Sequence, residues 1–317
     1  MAKTIVVVGS VNADFVIEVD RLPARGETFA ASKTDTGRFF PGGKGANQAA
    51  AVARLAPSSE ELQCQFVGQF GNDAHAVELE KALANVGVDI ALSGNPACPS
   101  GQAFVFVYPD GDNSIVIVGG ANATWPSALP EPVIKAIQSA AIVLLQSEIP
   151  SSVNYQVAQC AASAKVPVLW DCGGEDRKIP ADILPLITFL CPNETELARL
   201  TDRSVDSIES AVTAARLLQE QGAQNLVVTL GSQGSVFVPA DPSTEPTHQP
   251  CIPVDRVVDT TGAGDCFRAA FAAAQAQDKS IAESLKFAAA ASALCVQVPG
   301  ALPSMPTASE TSRVLNL

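Results

Sequence analysis

Basic residues are scarce in this sequence: 20 Lys and Arg stand against 33 Asp and Glu in 317 residues, a formal net charge of −13. Such a field repels phosphate backbones and anionic lipid surfaces, which argues against nucleic acid and membrane partners. A chain this acidic that handles a nucleotide must bind phosphate with backbone N–H groups, helix N-termini and metal ions. Histidine is scarcer still, with only His75 and His248, and the eight cysteines contain no Cys-x-x-Cys pair, so structural zinc is excluded. The cysteines are scattered through a long chain without a secretory leader, the pattern of free thiols in a reduced, cytoplasmic protein. The first apolar run, Ile5–Val8, has four residues, against about 7–15 in a signal-peptide core. No run approaches the ~18–20 apolar residues of a membrane span.

What is present is enough apolar material for a core: 47% of residues are hydrophobic and 17% charged, which excludes a disordered chain. Short β-branched runs at Ile5–Val8, Phe66–Val67, Ile142–Leu145, Val166–Trp170, Ile187–Leu190 and Leu226–Leu230 read as buried strands. Between them Asn47–Leu55, Ala74–Val86, Ser151–Ala164, Val205–Gln221, Ala263–Gln277 and Ile281–Val298 carry helical spacing. This alternation predicts a doubly wound α/β fold with a mostly parallel central sheet and helices on both faces. Two segments break the rhythm. Phe15–Phe40 alternates between Pro/Gly turns, and Ala103–Tyr108 and Ser114–Val118 flank a Pro-Asp-Gly-Asp-Asn turn. They predict a small antiparallel β lid, drawn from about residues 12–41 and 101–120, on a single domain spanning 1–317. Pro239–Pro250 reads as a surface loop. Val16, Ile17, Val19, Phe104, Phe106 and Tyr108 supply more apolar surface than a lid over a small ligand needs, which predicts a homodimer through the lids.

Two glycine clusters carry the chemistry. In Asp259-Thr260-Thr261-Gly262-Ala263-Gly264-Asp265 the glycines strip side chains from the start of a helix, leaving backbone N–H groups and the helix dipole for an anion. Gly262, Ala263 and Gly264 would form that anion hole. Asp265 beside it either caps the helix or takes a proton from an attacking hydroxyl while the N–H groups stabilise a phosphoryl group in transfer. The second cluster, Gly42-Gly43-Lys44-Gly45-Ala46-Asn47-Gln48, is neither a Walker A loop nor a dinucleotide fingerprint. It suits the hydroxyls of a small polar ligand at close backbone range, or is a tight turn with a solvated lysine.

With Gly9-Ser10-Val11-Asn12-Ala13-Asp14 and Pro192-Asn193-Glu194-Thr195-Glu196, these clusters resemble the ribokinase (PfkB-type) family of sugar and nucleoside kinases, over nearly the whole chain and in family order. The Gly-Gly-Lys-Gly-Ala-Asn-Gln string is closest to the ribose-phosphorylating branch, ahead of fructokinases and adenosine kinases. The resemblance implies ATP- and Mg²⁺-dependent phosphorylation of the 5-hydroxyl of D-ribose, with stimulation by K⁺. Deoxyribose, fructose or pseudouridine are the alternative acceptors, and a non-catalytic sugar-binding regulator is the alternative outside enzymes.

By this resemblance Asp265 is the base, and Asn12, Asp14, Gly43, Lys44, Asn47 and Glu148 hold sugar hydroxyls, which both donate and accept. On the residues alone Asp14 could cap a turn and Glu148 could be solvated. Asn193 and, through water on Mg²⁺, Glu196 would serve the phosphates, although Asn-Glu-Thr-Glu is equally a helix N-terminus. Thr229, Gly231, Ser232 and Gly234 would join Gly264 around the nucleotide, or form an ordinary turn. Asp259, Thr261, Cys295, Val298, Gly300 and Ser304 would hold K⁺, mostly by backbone carbonyls. The chain departs from the family pattern at Cys266 and Arg268, where small or amide residues are common, at Ala289 near a polar adenine contact, and in the bulky Phe39-Phe40-Pro41.

Overall fold

A computed structural model describes residues 2–315 except 32, 34, 59, 111, 176 and 177. In chain order the elements are β1 (Lys3–Val8), β2 (Asn12–Glu18), β3 (Arg38–Gly42), α1 (Lys44–Leu55), β4 (Leu62–Val67), α2 (Ala74–Asn85), β5 (Gly101–Val107), β6 (Asn113–Val118), α3 (Glu131–Ser139), β7 (Ile142–Ser147) and α4 (Ser151–Ser163). They continue with β8 (Val168–Gly174), β9 (Phe189–Cys191), α5 (Glu194–Thr201), α6 (Ile208–Glu220), β10 (Asn225–Thr229), β11 (Ser235–Val238), β12 (Thr247–Gln249), α7 (Ala263–Ala276), α8 (Ile281–Cys295) and α9 (Ala308–Leu315).

Eight strands form one sheet in the order β12-β11-β10-β9-β8-β7-β1-β4. From β10 to β4 every pairing is parallel, and β11 and β12 add an antiparallel edge. β1 shows why the strands read as continuous apolar runs: Ile5 and Val7 enter one hydrophobic core, with α1, α7 and α8, while Val6 and Val8 enter the other, with α3, α4 and α6. Both faces of the sheet are covered, so no polar alternation survives. Chain order reverses between β1 and β7. In open α/β sheets the crevice at the carboxyl ends of strands at such a point is where ligands bind.

The second sheet runs β3-β2-β5-β6. Its outer pairs are antiparallel, as the hairpin signals predict, and its central pair, β2 with β5, is parallel. That pairing joins two insertions far apart in sequence, so no local turn could announce it. The apolar residues expected at a lid interface are only half-exposed here, and Val19 is buried. The exposed apolar surface is instead on edge strand β6, where Ile115, Val116, Ile117 and Val118 are 40–55% exposed. Helix α6 begins at Ile208 and not at Val205, because Ser207 accepts a hydrogen bond from the Ser210 N–H and caps it. The stretch read as the loop Pro239–Pro250 contains the short strand β12.

Candidate active site

Helix α7 starts at Gly262, whose φ of 77° lies in the left-handed region; a Cβ there would also approach the Ala301 backbone to 2.9 Å. No side chain caps this helix, so the capping role for Asp265 does not hold. Its carboxylate points inward and is 4% exposed. Oδ2 accepts from Asn47 Nδ2 at 3.0 Å and Oδ1 from Gln48 Nε2 at 3.1 Å. Burial pushes the Asp265 carboxyl up, Lys44 opposes this, Asp171 reinforces it, and the two amides pull it back down. A buried carboxylate of raised basicity, oriented by two amides beside bare helix N–H groups, is equipped to take a proton from a bound hydroxyl.

On the side of Asn47, β2 and the start of α1 bring the second glycine cluster against β1 and β7. Gly43, at φ 89°, packs so closely that a Cβ would sit 2.8 Å from the Asn12 N. Asp14 lies over Gly42, its Oδ1 buried without a hydrogen-bond partner. Burial, then Glu148 and Asp265, push its carboxyl up to about 8. Glu148 is not solvated: Oε2 accepts from Ser10 Oγ at 2.6 Å and from the Lys44 N at 3.1 Å, and burial raises its carboxyl. Asn12 Oδ1 accepts from Asn122 Nδ2 at 2.7 Å. Asn12, Asn122 and Glu148 line a cavity of about 120 Å³ under Ile117 of the lid. The Lys44 side chain is 28% exposed, with Nζ 3.9 Å from Asp171 Oδ2. Burial works against its charge, but Asp171, Asp265 and Glu148 outweigh it and hold the ammonium above the ordinary lysine range.

Beside Asp265's neighbour Gly264 a cavity of about 610 Å³ is lined by Asn193, Thr229, Gly231, Ser232, Gly234, Ala263, Gly264 and Arg268, with Ala289 and Ala293 of α8 as an apolar wall. Asn193 Oδ1 accepts from the Glu196 N, and Glu196 Oε2 accepts from the Asn193 N, both at 2.8 Å. The helix-start reading of this motif therefore describes its local geometry, and the same box aims α5 at the cavity. Among the K⁺ candidates, Asp259 ties two turns together: Oδ1 accepts from the Thr261 N at 2.9 Å and Oδ2 from the Gly300 N at 2.8 Å. Cys295 Sγ and Ser304 Oγ are 3.0 Å apart in the same region, and Val298 lies between with its side chain 42% exposed.

Three residues outside the expected set complete the polar interior. Asp171, in the middle of β8 and fully buried, accepts from Gln48 Nε2 at 2.8 Å, so Gln48 bridges Asp171 and Asp265. Arg268, 3% exposed, forms an ion pair with Asp171, Nε 3.0 Å from Oδ1, and reaches Glu196 Oε2 at 3.5 Å. A carboxylate directly after the apolar run Val166–Trp170 was the available signal for Asp171.

Residues 2–308 match the family described as pfkB family carbohydrate kinase. The chain belongs to the pfkB family of carbohydrate kinases. It is 46% identical to the ribokinase of Arabidopsis thaliana over 99% of this chain and 81% of that protein. It is 34% identical to the ribokinase of Haemophilus influenzae over 99% of both. The solved structure of Arabidopsis thaliana ribokinase complexed with ribose and ATP superposes with a TM-score of 0.92, at 45% identity and with both chains fully covered. The large cavity beside Gly264 and the buried polar cluster around Asp265 therefore belong to a carbohydrate kinase. Among the described residues no helix is long and apolar enough to cross a membrane.

Proposed function

We propose that this kinase transfers the γ-phosphoryl group of ATP to the 5-hydroxyl of D-ribose. One observation carries the reading: the Asp265 carboxylate is hydrogen-bonded to Asn47 of the second glycine cluster, while its neighbour Gly264 lines the large cavity. The likeness to a ribokinase complexed with ribose and ATP supports the two occupants. Asp14, Asn12, Gly43, Lys44, Asn47 and Glu148 orient the sugar. Asp265 then accepts the proton of the 5-hydroxyl as its oxygen bonds to the γ-phosphorus, and the bond from that phosphorus to the β-phosphate oxygen breaks, releasing ADP. The N–H groups of Gly262, Ala263 and Gly264 stabilise the transferring charge. Asn193, Thr229, Gly231, Ser232 and Gly234 hold the nucleotide against an apolar wall that includes Ala289.

Among the described residues no three His, Cys, Asp or Glu side chains cluster to cage a metal. That donor set fits Mg²⁺ brought by the nucleotide phosphates and touched through water by Glu196, where it would neutralise phosphate charge. A K⁺ ion fits beside Asp259, whose carboxyl is kept ionised: burial opposes this, but hydrogen bonds from Thr261 and Gly300 prevail. Carbonyls of the turns around Thr261, Cys295, Val298, Gly300 and Ser304 would complete that site. We also read the chain as one cytoplasmic domain with its lid, dimerising through the lid sheets; sedimentation at micromolar concentration tests the dimer, and a fully active monomer refutes it. The substrate itself is tested by turnover of purified protein on ribose, deoxyribose, fructose and pseudouridine with ATP. Ribose should be turned over most efficiently; equal or better turnover of another acceptor overturns the ribose assignment.

A further inference from the structure

We propose that Arg268 is a catalytic residue of this kinase, presenting two guanidinium N–H groups to the phosphoryl group being transferred. The inference rests on the kinase reading above.

A guanidinium this deeply buried costs several kcal/mol in lost hydration unless its donors are satisfied. Arg268 Nε donates to the Cys191 carbonyl at 3.1 Å and lies 3.0 Å from Asp171 Oδ1 in an ion pair. Nη2 donates to the same carbonyl at 2.9 Å and reaches Glu196 Oε2 at 3.5 Å. One edge of the planar group is thereby fixed by a strand end, β9, and by the first turn of α5. The other terminal nitrogen, Nη1, makes no hydrogen bond among the described residues. It lies against Gly264, where a Cβ would come within 2.5 Å of it, and the side chain lines the large cavity together with Asn193. A rigid fork with one edge locked and the other directed at a helix N-terminus matches the oxygens of a phosphate.

The location says which phosphate. Gly264 precedes the proposed base, and Arg268 stands one turn beyond Asp265 on the same helix, so Nη1 is beside the reacting end of a polyphosphate. Local charge is compatible: Asp171, Glu196 and Asp265 face Lys44 and Arg268, so the guanidinium presents directed N–H bonds without an excess of positive charge. A glycine at 264 serves the anion hole, and it also admits the guanidinium, since a Cβ there would come within 2.5 Å of Nη1. The glycine leaves room for Nη1 to stand level with the backbone that forms the anion hole.

The test compares wild type with Arg268→Gln and Arg268→Lys by kcat, and by calorimetric affinities for ATP, AMP and ribose. Loss of a single preorganised donor lowers kcat by about 10²–10³-fold, and that loss is expected in both variants. ATP affinity should fall roughly 10-fold relative to AMP, since AMP lacks the contacted group, with ribose affinity within about 2-fold of wild type. A folded Arg268→Lys with wild-type kcat, or equal losses for ATP and AMP, overturns the proposal, because a counter-ion role predicts one or the other. Should both variants misfold, the wild-type protein decides: the Arg268 side-chain ¹⁵N–H resonances should shift with a non-hydrolysable ATP analogue and stay in place with AMP, and unmoved resonances refute the contact. Wild type inactive on every sugar would sink the kinase reading itself; active wild type with unaltered variants would sink only the role of Arg268.

Discussion

The two sides of Asp265 are built from opposite materials. Toward the small cavity the surface is side chain: Asp14, Glu148, Asn12 and Lys44, each held by another polar group or by a glycine that lets the backbone close in. Toward the large cavity it is glycine backbone, short polar side chains such as Thr229 and Ser232 and the alanines of α8, with Arg268 the one cation in its lining among the described residues. The difference follows the ligands. Sugar hydroxyls need both donors and acceptors, which carboxylates, amides and an ammonium supply together. Phosphate needs donors only, and in a chain of net charge −13 the N–H groups at a helix start provide them without spending scarce basic residues. Asp265 belongs to both halves, and the comparison can be broken there first.

Asp265→Asn keeps shape and some hydrogen bonding but cannot accept the hydroxyl proton, so kcat should drop by about 10²–10⁴-fold. Ribose affinity should largely survive, and nucleotide affinity should hold or improve, since the amide no longer repels polyphosphate. Steady-state kinetics beside calorimetry checks this; a variant with more than about a tenth of wild-type kcat removes Asp265 from the role of base. Next in size is Gly43→Ala, which strikes only the sugar half. A side chain at φ 89° is strained, and its Cβ would meet the Asn12 N at 2.8 Å and the Val11 Cα at 2.9 Å. Displacing Asn12 should raise the Kd for ribose by about 10–100-fold, while the Kd for AMP stays put. Equal losses for both ligands would show that the two halves are mechanically one.

How much of this was legible in the sequence depends on whether the determinant is local. Burial on both sheet faces erases polar alternation, so β1 and β7 announced themselves as apolar runs, and the glycines at 43 and 262 stood where the chain needs a left-handed turn. The buried hydrogen bonds are different. Arg268 bonds the Cys191 carbonyl from 77 residues away, and Gln48 reaches Asp171 from 123 away. Neither leaves a spacing pattern, so Arg268 read as an oddity and Asp171 was missed. The parallel β2–β5 pairing was hidden for the same reason, whereas the edge pairing β11–β12 is local and was lost in reading Pro239–Pro250 as a loop. The exposed aliphatic run on β6 was read as a hairpin arm, because a sequence cannot say which arm of a hairpin lies at the edge of a sheet.

A smaller effect should separate the nucleotide half from the cation beside it. If Asp259 and the surrounding carbonyls hold K⁺, the ion fixes the turn that shapes the start of α7 without touching either substrate. Replacing K⁺ by Na⁺ or Li⁺ at matched ionic strength should lower kcat or ATP affinity by roughly 5-fold or more and leave ribose affinity in place. Identical kinetics in all three salts would remove the cation from the nucleotide half.

The smallest expected effect is a pH dependence confined to the sugar half. The Asp14 carboxyl is pushed up to about 8 from 3.8, by burial first and then by Glu148 and Asp265. Below pH ~4 the folded and unfolded chains both hold its proton, and above pH ~8 neither does, so stability does not change with pH there on its account. Between those limits the folded protein keeps a proton that the unfolded chain has released. Stability should therefore fall as pH rises through this window, with the full penalty present above it. Glu148 and Asp265 are raised as well and add a slope of the same sign, while Asp259 and Asp73 are lowered and oppose it. The Asp14 contribution has to be isolated as a difference. Asp14→Asn has no charge to suppress, so the Tm of the ligand-free variant should gain on wild type progressively from pH 5 to pH 8.5 in thermal melts. Parallel Tm curves across that range would mean that Asp14 is ionised as freely as an exposed carboxylate, and that the sugar half is wetter than its packing against Gly42 implies.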